Sequence, residues 1–304
     1  MTMKTIRFMA IRNLAFAITV VLTVVGLGAL FAKGLNFGLD FTGGTLIELK
    51  YEQPADLELI KRELGQAGYA DAVVQSFGAT TDVLVRLAGD DPQLGREVSD
   101  ALRKIDAERS FQLVRVEFVG PQVGEELRDQ GGLAMLLALG GILLYLAFRF
   151  QWKFGVGAVA SLFHDTVLTL GILAFFQIPF DLTVLAAVLA MIGYSLNDTI
   201  IIYDRIRENF RVLRKASLVE NIDISVTQTL LRTLATSFST ALALIALLVF
   251  GGDTLGNFAL TLLIGVVVGT YSSVYIGATV LVWLKLSSED LIPPAVTSEV
   301  DERP

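Results

Sequence analysis

Six runs of apolar residues are each long enough to cross a membrane, and they constrain the fold more than any other feature. A spanning helix needs about 20 predominantly apolar residues. The runs that reach this length lie at residues 14–32, 130–148, 154–176, 182–203, 233–252 and 254–284. The last run exceeds one span, so we expect part of it to tilt or to lie at an interface. The mean hydropathy of +0.62 agrees with an integral membrane protein.

Basic residues indicate the orientation of the spans. They occur before the first run, between the second and third, after the fourth and after the sixth, whereas loops 177–181 and 251–253 hold no Lys or Arg. The positive-inside rule then predicts that both termini are cytoplasmic. We expect a cytoplasmic N-terminus (1–12), a first transmembrane helix (13–33), an extracytoplasmic domain (34–129), a five-helix transmembrane domain (130–284) and a cytoplasmic tail (285–304).

The first apolar run has features of a signal peptide, because Lys4, Arg7 and Arg12 precede it. The apolar core is too long for a signal peptide, and no small-x-small cleavage site follows it clearly. We therefore expect this run to be a retained membrane anchor.

The segment between the first and second runs alternates between strand and helix patterns. Residues 46–51, 72–77, 83–87 and 111–119 are typical of strands, and residues 55–68 and 92–108 of amphipathic helices. This order, βαββαβ, predicts a small ferredoxin-like α+β domain. The fold class is therefore an α-helical polytopic membrane protein with six transmembrane helices, one before this domain and five after it.

Charge and cysteine content exclude several classes of function. The net charge is −7, and residues 40–130 hold 18 acidic and 10 basic residues, so a nucleic-acid partner is not expected. The chain has no cysteine and one histidine, which excludes thiolate and histidine-cluster metal sites. We expect no metal and no cofactor.

Asp198 lies within the fourth apolar run, in the segment GYSLNDTIIIYDRIREN. A carboxylate in a membrane is costly unless it faces the protein interior, finds a partner or takes up a proton, and such residues mark ion pathways. Asp198 lies six residues before Asp204, about 9 Å along a helix, and Arg232 enters the fifth run from the same side. We expect a switchable Asp198–Arg232 pair; the alternative is that Arg232 extends to the cytoplasmic interface.

Polar and small residues recur every four positions on the neighbouring runs. On the fifth run Arg232, Thr236 and Thr240 share one face, with Ser239 and, on the fourth run, Asn197 nearby. These groups suit a water or proton relay, or their hydroxyls bond backbone carbonyls one turn earlier. The sixth run carries the small-residue stripe Gly265, Gly269, Ser273 and Gly277, which permits close helix packing. We expect it to pack on the face of the fourth run formed by Ala186, Ala190, Tyr194 and Asp198.

His164 and Asp165 lie near the middle of the third run. Adjacent helical residues point about 100° apart, so we do not expect a simple dyad. His164 adds a group that titrates near neutral pH, and Asp165 can bond a neighbouring helix. We expect a structural or relay role for both residues and no catalysis.

Five segments together carry a resemblance to a known family. They are LDFTGGT (Leu39–Thr45), VGPQVGEEL (Val119–Leu127), HDTVLTLG (His164–Gly171), GYSLNDTIIIYDRIREN (Gly193–Asn209) and TLLRTLATS (Thr229–Ser237). The chain resembles the SecF family of accessory subunits of the bacterial Sec translocase over nearly its whole length, including the order of spans.

The resemblance implies a location, partners and functional residues. It implies a multi-pass protein of the bacterial inner membrane, similar in fold to half of a resistance-nodulation-division transporter. Its partners would be SecD, the SecYEG channel and an unfolded preprotein, whose late export would be promoted by the proton motive force. The family's acid and arginine match Asp198 and Arg232. Its DFTGG motif matches Asp40, Thr42, Gly43 and Gly44, where the two glycines suit a tight turn.

Two other functions are considered beside proton-coupled export. A drug or solute antiporter of the same superfamily would need larger paired external domains than these residues supply. An intramembrane aspartyl protease would use Asp165 and Asp198 with a shared proton, but both acids stand in sequence contexts that are unlike those of such proteases. We therefore expect proton-linked conformational change and no covalent chemistry.

Overall fold

The computed structural model of the protein describes residues 5–77, 79–89, 91, 93–105, 110–213, 215–287 and 289–291. Among these residues, six helical segments are long and apolar enough to span a membrane. They are called the first to sixth spans: Phe8–Lys33, Pro121–Arg149, Trp152–Phe176, Leu182–Val212, Leu218–Phe250 and Leu255–Trp283. The predicted fold class, with one span before a sheet-containing domain and five after it, is confirmed.

The secondary structure elements are numbered in chain order. The helices are α1 (Arg12–Lys33), α2 (Leu39–Thr42), α3 (Leu57–Gln66), α4 (Leu94–Ile105), α5 (Pro121–Arg149), α6 (Trp152–Phe176), α7 (Leu182–Val212), α8 (Leu218–Phe250), α9 (Gly252–Ser272) and α10 (Ala278–Trp283). The strands are β1 (Asn36–Phe37), β2 (Gly44–Tyr51), β3 (Val73–Phe77), β4 (Ala79–Leu87), β5 (Phe111–Val119) and β6 (Pro179–Phe180). A π-helical segment, Ser273–Gly277, joins α9 to α10 within the sixth span.

The described residues form two compact units. The sheet unit comprises Phe37–Leu136 and Pro179–Leu182, and the membrane unit comprises the described parts of Met1–Asn36, Leu137–Ile178 and Thr183–Pro304. In the sheet unit the strand order is β3-β4-β2-β5 with antiparallel neighbours, so the predicted βαββαβ order is confirmed. Helices α3 and α4 cover one face, and the core between helices and sheet includes Ile47, Leu49, Ile60, Val85 and Leu102.

Several helices extend beyond the apolar runs. Helix α5 begins at Pro121 and the fifth span at Leu218, whereas the runs begin at residues 130 and 233. An apolar run measures the part of a helix that crosses hydrocarbon, whereas a helix continues through polar residues until a cap ends it. The hydroxyl of Ser217 caps the fifth span by accepting a bond from the Glu220 amide. Parts of the predicted helix 92–108 and of the tail 285–304 lie outside the described residues.

Burial divides the spans of the membrane unit into two groups. In the third, fourth and sixth spans, 56%, 56% and 50% of the most apolar stretch is buried, against 22%, 6% and 17% in the first, second and fifth. A large buried cluster surrounds Tyr203 and includes Phe154, Ile206 and Ile222. The interior of the membrane unit is therefore built mainly by the third, fourth and sixth spans. Buried polar residues lie on these spans and also on the fifth, which contributes Asp223 and Ser237 among others.

Candidate functional site

Asp198 lies inside the membrane unit, in the middle of the fourth span. Its exposed fraction is 1%, and neither carboxylate oxygen has a hydrogen-bond partner among the described residues. Its neighbours on the inner face of this helix are Ser195, Thr199 and Ile202, which are also buried. A carboxylate in such a place is stable as a neutral acid, and an ionised one needs a cation or water. Asp198 therefore has no hydrogen-bonded counter-ion among the described residues.

The expected ion pair between Asp198 and Arg232 is not formed. Arg232 is exposed on the outer face of the fifth span, beside the exposed Leu231, whereas Thr229 and Thr233 face the interior. Successive residues rotate by about 100° around a helix, so the step from Arg232 to Thr233 separates the outer face from the inner one. As expected from the sequence, Asp198 lies in the fourth span and Arg232 in the fifth, but a similar expected depth does not fix the rotation of either helix.

The polar stripe that includes Arg232 also faces outward. Thr236 donates to the carbonyl oxygens of Arg232 and Thr233, at 3.1 and 2.9 Å, and Ser239 donates to that of Thr236 at 3.0 Å. Thr240 is half-buried and Asn197 is exposed. The hydroxyls of Thr236 and Ser239 therefore bond their own helix, which is the alternative to a relay within this chain.

A different hydroxyl of the fifth span faces the interior. Ser237 Oγ lies 2.8 Å from Thr270 Oγ1 of the sixth span and accepts a bond from the Tyr194 hydroxyl at 3.3 Å. These three residues join the fourth, fifth and sixth spans through side chains alone. Ser237 is not among the expected site residues, because the expected stripe begins at Arg232. The four-residue repeat of Thr229, Thr233 and Ser237 marks the buried face.

Asp165 is a buried acid that forms hydrogen bonds to two neighbouring spans. It is fully buried, and one of its oxygens, Oδ2, accepts hydrogen bonds from Ser195 of the fourth span and, at 2.7 Å, from Ser272 of the sixth. Ser272 is also bonded to Ser161 of the third span. Asp165 thus connects three spans, as a bond to a neighbouring helix was expected to do.

His164 and Asp165 do contact each other, contrary to the sequence expectation. His164 Nδ1 lies 2.9 Å from Asp165 Oδ1, and both side chains are buried. The 100° rotation separates the Cα–Cβ directions, but rotation about the side-chain bonds brings the imidazole and the carboxylate together. His164 Nε2 has no hydrogen-bond partner within the described part of the chain.

The small-residue stripe of the sixth span lies along the fourth span. A Cβ on Gly269 would lie 2.8 Å from Ser195 Cβ, and one on Gly277 would lie 2.8 Å from the Tyr203 hydroxyl. Ser273 Oγ lies 3.0 Å from Thr199 Oγ1, and Gly265 packs against Met191. The contact face of the fourth span is therefore Met191, Ser195, Thr199 and Tyr203.

The expected contact face on the fourth span is wrong by one residue. Ala186 and Ala190 are exposed, so the face is rotated by about 100° from the one expected. Asp198 lies beside the contact with the sixth span and is not part of its four-residue repeat. The sequence identifies the stripe on the sixth span because glycines are visible, but larger residues on the fourth span gave no such signal.

A π-helical segment interrupts the sixth span where it meets Tyr203. It covers Ser273–Gly277, and Tyr203 is fully buried with a hydroxyl that has no hydrogen-bond partner among the residues described. Single-turn π-helices within α-helices occur frequently at functional sites. This distortion lies opposite the turn of the fourth span that follows Asp198, and no sequence pattern indicated it.

The DFTGG motif lies within the sheet unit. Asp40 Oδ2 accepts a hydrogen bond from the Leu182 amide at 3.0 Å, and the Thr42 hydroxyl donates to the Gly38 carbonyl. Gly43 and Gly44 have φ angles of 64° and 106°. A Cβ on Gly43 would lie 2.8 Å from Pro121 Cα. The two glycines are needed for left-handed backbone and for close packing against the start of α5.

No metal site is evident in the part of the chain that the structure describes, since no group of three or more His, Cys, Asp or Glu residues is arranged to hold an ion. The buried polar residues described in the membrane unit are hydroxyl-bearing residues, two asparagines, one imidazole and the three acids Asp165, Asp198 and Asp223.

Comparison with known proteins identifies similar sequences over the whole chain. The family described as "Protein export membrane protein SecD/SecF, C-terminal" matches residues 97–287, and the "SecD/SecF GG Motif" family matches residues 28–55. The protein translocase subunit SecF of Pseudomonas aeruginosa is 67% identical, with 99% of this chain and 98% of the relative covered. The SecF subunit of Vibrio alginolyticus is 47% identical over the same shares of the two chains.

Solved structures give the same result for the fold. The crystal structure of SecDF from Thermus thermophilus matches with a TM-score of 0.84 and 38% identity over 93% of this chain. SecDF in a super-membrane-facing form matches with a TM-score of 0.68 and 37% identity over 93% of this chain. In both comparisons this chain spans 39% of the SecDF chain.

Proposed function

This chain belongs to the SecF family of protein translocase subunits, and on that basis we propose that it uses the proton motive force to promote preprotein export. It is a multi-pass protein of the inner membrane, and its relatives are named as translocase subunits and not as enzymes. Its action would be a conformational change linked to proton binding, without covalent chemistry. Asp198 would bind and release the proton.

The observation that carries this proposal is the complete burial of Asp198 without a hydrogen-bond partner among the described residues. The present packing suits the protonated acid, because a neutral carboxyl needs no counter-ion. Loss of the proton creates a buried charge to which no described residue donates a hydrogen bond. The fourth span must then move until Asp198 reaches water or a cation, and the return of a proton reverses the movement.

The sixth span would respond to this movement. Its Gly269, Ser273 and Gly277 lie against the fourth span with no room for larger side chains. Closely packed helices have discrete arrangements and do not deform continuously, so a displaced fourth span must adopt a different fit with the sixth.

SecD is the proposed direct partner. The solved SecDF chains are longer than this one, which spans 39% of their length, and a separate SecD subunit would supply the rest. The first, second and fifth spans expose large apolar side chains, among them Leu136, Leu231 and Phe238. Arg232 belongs to this outer face, so in the complex it would lie at or near the contact with SecD.

The complex would act beside the SecYEG channel on an unfolded preprotein. We propose the orientation that the basic loops indicate, with both termini in the cytoplasm and the sheet unit on the trans side. Protons would then reach Asp198 from the trans side and leave toward the cytoplasm, while the sheet unit would act on the emerging preprotein.

An aspartyl protease mechanism is not supported by the interior geometry. That chemistry needs two carboxyl groups close enough to share a proton. Asp165 accepts bonds from two serines, and Asp198 makes no hydrogen bond to it or to any other described residue.

The test is preprotein export into inverted membrane vesicles that contain this subunit, SecD and SecYEG. Export is measured with and without a proton gradient for the wild type, Asp198→Asn and Asp204→Asn. Asp204 lies on the same helix but is partly exposed and paired with Arg149, so its replacement is a control for loss of an acid. We expect Asp198→Asn alone to lose the gradient-dependent increase while assembling normally with SecD. Full stimulation in that variant would rule out the proposal.

A further inference from the structure

We propose that Asp40 is a positioning residue that transmits movement of the fourth span to the external sheet. This inference rests on the proposed function, since it concerns how a proton-driven movement would leave the membrane. It assigns a mechanical role to the acid of the DFTGG motif, beyond the turn-forming role of the two glycines.

The first observation is the bond between Asp40 and the start of the fourth span. Leu182 is the first residue of α7, and the first amides of a helix have no partner within the helix. Asp40 Oδ2 accepts from the Leu182 amide at 3.0 Å. A carboxylate at a helix N-terminus is also favoured by the helix dipole. This cap comes from a residue distant in sequence, so it fixes the helix end to another part of the chain.

The second observation is that the residues around this bond are held by further contacts. Strands β1 and β6 form a two-stranded ribbon, and the Gly38 amide donates to the Phe180 carbonyl at 2.8 Å. The ring of Phe180 stacks on that of Phe41, with centroids 5.9 Å apart, and meets Phe37 edge-on at 6.0 Å. The connection between the third and fourth spans is therefore a fixed structure at this point.

The third observation is the short path from Asp40 to the sheet. Asp40 lies in α2, which ends at Thr42, and only Gly43 separates this turn from Gly44, the first residue of β2. Strand β2 is central in the sheet, between β4 and β5. A second connection runs through Arg86 of β4, which donates to the Phe37 carbonyl at 2.7 Å.

These contacts connect the start of the fourth span to strand β2 through residues that are held by hydrogen bonds and ring packing. The helix that begins at Leu182 continues without a break to Asp198, about 24 Å further along its axis. A shift or tilt of this helix displaces its capped end, and Asp40 passes that displacement to β2. Loss of the Asp40 carboxylate would leave both units folded but would loosen this connection.

The experiment measures gradient-dependent export for four variants in the same vesicles. Asp40→Ala removes the cap, whereas Asp40→Asn keeps an oxygen that can accept from the Leu182 amide. Asp56→Ala is the matched control, because Asp56 caps α3 of the same unit by accepting from the Leu59 amide. Asp198→Asn reports on the proposed function. We expect Asp40→Ala to lose the gradient-dependent increase, Asp40→Asn to retain most of it, and Asp56→Ala to match the wild type.

A disulfide rescue separates coupling from folding. The chain contains no cysteine, and a Cβ on Gly38 would lie 3.0 Å from Asp181 Cβ, whereas a disulfide needs about 3.5–4.5 Å, so the two segments must separate slightly for a cysteine pair to form one. In the Asp40→Ala background, Gly38→Cys with Asp181→Cys joins the same two segments covalently. We expect oxidation to restore gradient-dependent export and reduction to abolish it again.

Each outcome bears on one claim. If Asp198→Asn loses the gradient-dependent increase but Asp40→Ala keeps it, the transmission through Asp40 is wrong and the proposed function stands. If loss of free thiols shows that the disulfide has formed and export is still not restored in Asp40→Ala, the transmission is also overturned, because a covalent link at this point would then be without effect. If Asp198→Asn keeps the increase, the proposed function itself fails.

Discussion

Ser195 donates a hydrogen bond to the buried carboxylate of Asp165, and it precedes Asp198 by three residues on the fourth span. Residues three apart on a helix are neighbours on one face. The third span is therefore bonded to the stretch of the fourth span that carries Asp198. Any movement of the fourth span near Asp198 must therefore either move the third span as well or break the hydrogen bond between Ser195 and Asp165.

Replacing Asp165 should destabilise the membrane unit. Asp165→Ala removes the partner of the Ser195 hydroxyl and of His164 Nδ1, and a buried group left unsatisfied costs about 1–3 kcal/mol. We expect a lower unfolding temperature for the purified protein in detergent. The control is Asp129→Ala, because Asp129 is largely exposed. Equal unfolding temperatures for the two variants would contradict the network described around Asp165.

Alanine substitutions at two glycines should differ in their effect on the stability of the membrane unit. Gly269→Ala puts a methyl group within 2.8 Å of Ser195 Cβ, and such overpacking typically costs about 1–3 kcal/mol. Gly140→Ala meets no atom within 4 Å, and alanine is favoured over glycine in a helix by about 1 kcal/mol. Thermal unfolding should therefore shift downward for Gly269→Ala and not for Gly140→Ala. A neutral Gly269→Ala would show that the spans are less closely packed.

Arg232 should matter for the complex and not for the isolated subunit. Its side chain is exposed, and surface substitutions usually change stability by less than about 0.5 kcal/mol. We expect Arg232→Ala to unfold like the wild type when purified alone, but to lose gradient-dependent export with SecD present. A large loss of stability in the isolated subunit would instead place Arg232 in an intramolecular contact.

The segment that follows the sixth span should loosen in acid. Lys153 Nζ lies 2.6 Å from Asp290 Oδ2, and this bond, with one from the Ser287 amide, lowers the pKa of Asp290. Because the folded pKa lies below the unfolded value of about 3.9, the contribution is present above that value. It is lost as the pH falls through the folded pKa.

Hydrogen exchange of the amides of residues 286, 287 and 289–291 measures this effect. We expect faster exchange only when the pH falls below about 4, after correction for the intrinsic rate. Asp290→Asn should exchange rapidly at every pH, with the exposed Glu289→Gln as its control. Unchanged protection of this segment at low pH would contradict the role of the Lys153–Asp290 pair.

The sequence predicts the membrane spans and the strands of this fold well because both depend on short-range patterns. Apolar runs define the spans, and alternation defines strands such as Phe111–Val119, whose predicted bounds are the observed ones. The stripe of Gly265, Gly269 and Gly277 on the sixth span also follows from spacing alone. These features need no knowledge of which helix lies beside which.

The rotation of each helix and the long-range contacts could not be obtained in this way. Arg232 and Thr233 are adjacent in sequence but lie on opposite faces, and only packing decides which one is buried. The cap of Leu182 by Asp40 joins residues far apart in the chain, so no local pattern signals it. The π-helix at Ser273–Gly277 likewise depends on the fit against the fourth span.

The most direct test of the central claim is whether protonation of Asp198 changes the fit between the fourth and sixth spans. Spin labels at Val212→Cys and Val267→Cys, two exposed positions of a chain that has no cysteine, report the distance between these spans in the reconstituted complex with SecD. We predict that the distance distribution differs between acidic and alkaline pH, and that Asp198→Asn fixes it in one form. Identical distributions at both pH values, or a shift that persists in Asp198→Asn, would contradict the account.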